Sequence, residues 1–221
     1  MILYLVATPI GNLKDITLRA LEILKSVDFI LCEDTRQTIK LLNHFEIKKP
    51  MISYHQHSQI GKIEEIVGLL KDGKNLALVS DAGTPGISDP GNKLVEMVLG
   101  QLPGAQIIPI PGPSALSALI SISGIPTDRF LFLGFLPIKK HRKEFLNNIV
   151  DSEIPAIFYE SPYKILKTLK ELSELNSDFQ VVVGKELTKI FEKIYRGNIK
   201  EVLSRIEKDR PRGEYVVLVH K

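Results

Sequence analysis

The apolar run Leu76-Ala77-Leu78-Val79, followed at once by Ser80-Asp81-Ala82-Gly83-Thr84-Pro85-Gly86-Ile87-Ser88-Asp89-Pro90-Gly91, limits the folds open to this chain. Four consecutive apolar residues read as a strand buried on both faces, the mark of a parallel sheet. Beyond Gly91, Leu94, Val95, Val98 and Leu99 fall on one face of a helix. The stretch is therefore a loop at the carboxyl end of a strand, where open α/β sheets bind ligands. Gly83, Gly86 and Gly91 let backbone come close to a ligand. Pro85 and Pro90 stiffen the loop, and Asp81, Ser88 and Asp89 offer acceptors and a hydroxyl. A connection without a ligand is the competing reading. Thirteen residues from Val79 to Gly91 is long for that purpose.

The same alternation runs along the chain. Ile2–Val6 reads as a strand, followed by a loop from Ala7 to Asp15 and a helix with Leu18, Leu21 and Leu24 on one stripe. That loop is not G-x-G-x-x-G, so the dinucleotide fingerprint is absent. Phe29–Cys32 reads as a strand ending in Glu33-Asp34-Thr35-Arg36, with Thr35 as the expected cap of a helix carrying Ile39, Leu42 and Phe45. These charges read either as part of a site or as a pattern complementing the helix macrodipole, which Arg36 fits badly. Met51–Tyr54 reads as a short strand. His55 and His57 follow with no third ligand at a suitable spacing, so no metal site is expected. A helix with Ile60, Ile63, Val67 and Leu70 stops at Gly73. The segment from Ile107 has a strand-like start whose prolines confine it to an edge or end it early, and Ser114 is expected to cap the next helix.

The second half restarts the pattern, with strands expected at 130–135, 156–159, 180–183, 191–196 and 215–219. Ser161 and Pro162 read as a helix start, and Asn198 with Glu201 as a capping box. The turns at Pro111-Gly112-Pro113 and Gly124-Ile125-Pro126 bracket a domain boundary, giving α/β domains at 1–115 and 116–221. A single cysteine, Cys32, rules out an internal disulfide and fits a reducing cytosol. No apolar run has the length of a membrane span, and no signal peptide is evident, so a cytoplasmic protein is expected. The formal charge of +3 does not announce a nucleic-acid binder, so that claim needs a local patch.

Six segments in order carry a resemblance: Leu5 to Leu13, Cys32 to Arg36, Ser80 to Gly91, Pro111 to Ala115, Phe158 to Pro162 and Glu186 to Lys189. Together they closely resemble the bacterial 2′-O-ribose methyltransferases of small-subunit ribosomal RNA, members of the tetrapyrrole-methylase superfamily. The match runs nearly end to end. The resemblance implies two α/β domains with S-adenosylmethionine in a cleft between them, and a homodimer. It also implies a cytidine in the decoding centre of 16S ribosomal RNA as the target. Thr8-Pro9-Ile10-Gly11-Asn12 stands where porphyrin-modifying relatives have a different glycine pattern, which weakens a small-tetrapyrrole reading. That reading and a non-enzymatic, cofactor-binding RNA-associated protein are the alternatives.

Methyl transfer from a sulfonium needs positioning and exclusion of water more than activation. The expected cofactor contacts are Pro9, Asp81, Ala82, Gly83, Thr84, Ser88, Pro113, Ser114, Tyr159, Glu186 and Leu187, all at strand ends or the hinge. A ribose hydroxyl must lose its proton as it attacks. Asp81, Lys185 and Glu186 are the catalytic candidates, with Glu33 and Asp34 nearby in type. For RNA contact the basic residues Arg36, Lys139, Lys140, Arg142 and Lys143 are expected, since affinity for a large folded RNA comes from phosphates outside the cleft.

Overall fold

The strand β4 (Leu76–Val79) lies in the middle of a five-stranded parallel sheet, with all four residues buried. The computed structural model describes residues 1–55 and 60–221, and the chain divides into two units, Met1–Ser114 and Ala115–Lys221. Among the described residues no helix is long and apolar enough to cross a membrane.

The first unit runs β1 (Ile2–Val6), α1 (Leu18–Ser26), β2 (Phe29–Cys32), α2 (Thr35–His44), β3 (Met51–Ser53), α3 (Ile60–Lys71), β4, α4 (Gly91–Gln101) and β5 (Gln106–Ile110). Its strand order is β3-β2-β4-β1-β5. Pro109 lies on β5, an edge strand, where a missing N–H costs the ladder little. Ala20 and Leu24 of α1 and Leu42 of α2 pack with Val6, Ile30, Ala77 and Val79 on one face. On the other face, Ile63 and Ile66 of α3 and Leu94 and Val98 of α4 pack with Leu3, Leu31, Leu76 and Leu78. Period 2 on the strands and period 3.6 on the helices produce both cores. Right-handed crossovers then send the chain after β1 to one face and the chain after β4 to the other. Because β1 and β4 are neighbours, a crevice opens where their loops part.

The second unit holds α5 (Ala115–Ser123), β6 (Leu131–Phe135), α6 (Arg142–Asp151), β7 (Ala156–Glu160), α7 (Ile165–Leu175), β8 (Gln180–Lys185), β9 (Lys193–Asn198), α8 (Ile199–Lys208) and β10 (Tyr215–His220). Its sheet order is β6-β7-β10-β8-β9; β6 and β7 are parallel and the remaining pairs antiparallel. α6, α7 and α8 cover one face through Leu146, Ile149, Ile165, Leu169, Leu172, Val202 and Ile206. α5 packs against β8 and β10.

Several local expectations shift. The cap of α2 is Asp34 rather than Thr35: Asp34 keeps an extended backbone and its carboxylate accepts from Arg36 N, while Thr35 is already helical. α7 begins at Ile165, because the Ser161 carbonyl accepts from both Lys164 and Ile165 and closes a separate turn first. Asn198 caps α8 by accepting from Lys200 N. Phe191 stays outside β9, where the Glu192 carboxylate accepts from Thr188 N and Glu192 N donates to the Lys189 carbonyl.

Candidate functional site

At the crevice of the first unit, Thr8 N donates to the Gly83 carbonyl at 2.9 Å and Gly83 N to the Thr8 carbonyl at 3.0 Å. The Thr8 hydroxyl donates to the Ser80 carbonyl at 3.0 Å, and the Ser80 hydroxyl to the Gly83 carbonyl at 3.0 Å. Gly83 has φ +83°, and a Cβ there would stand 3.4 Å from Ile10 Cγ2 and 3.7 Å from the Pro113 carbonyl. The Thr84 hydroxyl donates to that same carbonyl at 3.1 Å. Pro9, Ala82, Gly83, Thr84 and Pro113 are thus brought together at the ends of β1, β4 and β5.

Further along the loop, Asp89 Oδ1 accepts from Gly86 N and Gly91 N, each at 2.7 Å. Asn92 Nδ2 donates to the Gly86 carbonyl at 2.7 Å. Asp89 therefore shapes the loop, whereas its sequence position had suggested an acceptor for a ligand. Ser88 is exposed and holds a left-handed backbone at φ +64°. The loop's rigidity follows from these bonds as well as from its prolines.

Asp81 is exposed, and its Oδ1 accepts from Asp34 N at 3.1 Å, tying the end of β4 to the end of β2. Glu33 lies close by. Partial burial, and then the negative charges of Asp81 and Asp89, push its carboxyl above the usual range. Arg36 is exposed and folds back on Asp34, Nη2 to Oδ2 at 2.8 Å. Hydrogen bonds from the Arg36 side chain and backbone hold Asp34 down at about 2. His55 Nε2 lies 2.7 Å from Ser53 Oγ. His57 falls outside the described residues. Among the described residues no group of His, Cys, Asp and Glu is arranged to hold a metal ion.

The candidates of the second unit gather at one edge of its own sheet. Tyr159 packs edge-on against Phe132 and tilted against Phe135, with ring centroids at 5.2 and 5.3 Å. Lys185 is buried, and its Nζ donates to Asp209 Oδ2 at 2.8 Å. Lys193 and the Tyr195 hydroxyl donate to the same carboxylate, and these three donors hold Asp209 far below the carboxylate range. Burial and Asp209 push Tyr195 well up. Burial, reinforced by Asp209 and Glu186, pushes Tyr215 up to about 12. Glu186 sits at φ +51°, and its Oε1 accepts from Lys189 Nζ and Glu214 N, each at 2.9 Å. Burial works to raise Glu186, but those bonds and the charges of Lys189 and Lys185 outweigh it and hold the group below its usual value. Leu187 is buried, and a Cβ on Gly184 would stand 2.8 Å from its Cδ2. Both catalytic candidates of this unit are already engaged, Lys185 by Asp209 and Glu186 by Lys189 and Glu214 N. Sequence reasoning missed Asp209, because nothing in its local pattern announces three donors arriving from two other strands.

The basic run divides. Lys139, Lys140 and Lys143 are exposed. Arg142 is buried, and this corrects its grouping with them as a surface cation. Its guanidinium donates to Glu171 Oε2 at 2.6 and 2.9 Å, to Thr168 Oγ1 at 2.8 Å and to the Pro137 carbonyl at 3.0 Å. The first residue of α6 thus anchors α7 and the loop after β6.

Comparison with known proteins gives a consistent result. The family described as Tetrapyrrole (Corrin/Porphyrin) Methylases matches residues 2–203. A Thermotoga maritima protein named ribosomal RNA small subunit methyltransferase I is 45% identical over 217 residues, covering 98% of this chain and 97% of that protein. A protein of the same name from Synechocystis sp. is 47% identical over 99% of this chain and 78% of its own length. Among solved structures, a cobalt precorrin-4 methyltransferase superposes with a TM-score of 0.71 at 19% identity, covering 99% of this chain and 94% of its own. A uroporphyrin III C-methyltransferase from Thermus thermophilus superposes at 0.68 with 16% identity, covering 100% and 98%.

Proposed function

Because the chain belongs to the tetrapyrrole (corrin/porphyrin) methylase family, we propose that it methylates small-subunit ribosomal RNA. On this reading the donor is S-adenosylmethionine and the acceptor the 2′-hydroxyl of a cytidine in the decoding centre. One observation carries the choice of substrate. Identity is 45–47% to relatives named for small-subunit ribosomal RNA, against 16–19% to the tetrapyrrole enzymes that share the fold. The sequence as a whole therefore lies nearer the RNA branch, which supports this reading, while the likeness to the tetrapyrrole enzymes concerns the architecture.

The first unit has the features that such a cofactor requires. Gly83 leaves space between Ile10 and the Pro113 carbonyl that a side chain would enter. The loop lies at a topological switch point, and its turn is fixed before any ligand arrives. When bound, the cofactor supplies a methyl group on a positive sulfur, already activated for displacement. Asp81, Ala82, Gly83 and Thr84 hold and orient it, with Pro9, Pro113, Ser114 and exposed Ser88 at the margin. The carboxylates of Asp81 and Glu33 favour a cation beside them. Asp81 and Glu33 are the carboxylates here that can take a hydroxyl proton. The active species is proposed to be a homodimer.

The test uses purified protein, isotopically methyl-labelled cofactor, and two acceptors in parallel: small ribosomal subunits lacking the modification, and a porphyrinoid precursor. Label is expected in one RNA nucleotide whose 3′ linkage resists alkaline cleavage, because a methylated 2′-oxygen can no longer attack its phosphate. Label in the porphyrinoid, or in no acceptor, would overturn the proposal.

A further inference from the structure

Four loops leave one edge of the second unit's sheet. A row of cross-strand partners marks that edge: Phe135 with Tyr159, then Glu160 with Tyr215, Tyr215 with Lys185, and Lys185 with Lys193. Four strand steps make the row about 19 Å long. Beyond it run residues 136–141, 161–164, 186–192 and 209–214. This edge exposes Phe135 by 60%, Ile138 by 64%, Tyr163 by 94%, Ile190 by 95% and Phe191 by 75%. Large apolar side chains gathered in this way mark an interaction surface.

The charges nearby select the partner. Every carboxylate of the edge is engaged within the protein. Glu160 accepts from Ser161 N and the Thr168 hydroxyl, and Glu186 from Lys189 and Glu214 N. Glu192 accepts from Thr188 N, Glu214 from Lys189, and Asp209 from Lys185, Lys193 and Tyr195. The side chains of Lys139, Lys140, Arg210 and Arg212 make no bond to the protein among the described residues. The row and its four loops carry eight lysines and arginines against five carboxylates, so the surface is aromatic with net positive charge beside the rings. Arg142 holds the Pro137 carbonyl and so fixes the loop that presents Ile138, Lys139 and Lys140.

We propose that this edge receives single-stranded RNA. Unpaired bases stack on Phe135, Tyr163 and Phe191, while phosphates are neutralised by Lys139, Lys140, Arg210 and Arg212. The inference deepens the ribosomal RNA reading and rests on it only for which RNA is bound. A regular duplex does not match, since its bases are stacked inside and offer no free face. A second copy of the chain matches poorly, because a symmetric contact would press this basic edge against its own like.

The experiment uses the full chain and fluorescence anisotropy with a labelled mixed-sequence 12-nucleotide RNA, offered single-stranded or annealed to its complement, across a salt titration. The variant Tyr163→Leu/Phe191→Leu keeps apolar bulk and removes the rings. It is expected to bind the single strand about tenfold more weakly or worse, with its salt dependence unchanged. Lys139→Ala/Lys140→Ala should instead reduce the slope of log affinity against log salt by about 1.4. Tyr163→Phe/Phe191→Tyr keeps the rings and should bind as wild type, which separates stacking from misfolding. Equal binding of strand and duplex by the wild type would overturn the proposal. So would wild-type affinity in the leucine variant, or loss of self-association by that variant in sedimentation. Ring-dependent binding without methylation of subunits would remove the proposed function and leave this surface standing. Methylation with ring-independent binding would remove only the surface.

Discussion

Thr8 and Gly83 exchange both of their backbone hydrogen bonds, at 2.9 and 3.0 Å, although the loops that carry them lead to opposite faces of the sheet. The pair bridges the switch point beyond the last paired residues of β1 and β4, Val6 and Val79. It joins the floor of the crevice through main-chain atoms, and the Thr8 and Ser80 hydroxyls brace the junction.

Gly83→Val should therefore damage binding more than folding. A β-branched residue at φ +83° is strained by about 1–2 kcal/mol, and its methyl groups would enter the space beside Ile10 and Pro113. The expected result is a folded protein, modestly less stable in urea, with no measurable heat of S-adenosylmethionine binding by calorimetry. Unchanged affinity would remove the loop from the site.

Arg142→Ala should unfold the second unit more readily, because it leaves Glu171 and the Pro137 carbonyl without their donor. Loss of a buried partner costs about 3–5 kcal/mol, and Glu171, being partly exposed, places the expectation near 3 kcal/mol. Lys139→Ala, Lys140→Ala and Lys143→Ala should each stay within about 0.5 kcal/mol of wild type. Urea denaturation of the four variants checks the contrast.

Two carboxylates with depressed pKa values should behave differently. Asp209 pairs with buried Lys185, whereas Asp34 pairs with exposed Arg36. Asp209 has a folded pKa below its unfolded value. Its contribution is therefore present above about pH 3.9 and is lost as pH falls through the folded pKa. Asp209→Asn should lower stability at neutral pH and flatten the acid limb of the stability profile. Arg36→Ala should leave stability close to that of the wild type, since an exposed ion pair is screened by solvent. Melting temperatures from pH 2 to pH 7 decide it, and equal effects would show that burial of the partner does not matter here.

Glu33 has the opposite sign. Its folded pKa is raised, so ionisation as pH climbs above the unfolded value costs the native state stability. Glu33→Gln should raise the melting temperature at pH 7 and leave it nearly unchanged at pH 3. No difference between the two pH values would mean that neither partial burial nor the charges of Asp81 and Asp89 act on this carboxyl.

The sequence makes the strands of the first unit legible, because a doubly covered parallel strand such as Leu76–Val79 has to be apolar throughout. Pro109 left two outcomes open, an edge strand or an early end, and the structure takes the edge, where the missing N–H costs the ladder little. Arg142 was not legible. Its run of basic neighbours looks uniform, and only the turn of α6 points one of them inward onto Glu171. The role of Asp89 was hidden in the same way, because bonds to Gly86 and Gly91 depend on a loop path that composition does not encode. Exposed Phe191 illustrates a third limit: its alternating context suggests a strand, but the Glu192 side chain closes a turn that keeps it out.

The place of β10 has a consequence for the order in which the molecule is made. Residues Tyr215–His220 form the middle strand of the second sheet, hydrogen-bonded to β7 on one side and β8 on the other. During synthesis, β6 and β7 can pair, and so can β8 and β9, but the two pairs stay separate until this last strand has emerged. The first unit is free to fold well before then, since all its strands precede Pro111. A nascent chain should therefore carry a finished first half and an open, apolar second half, and the final six strand residues act as the closing step of folding.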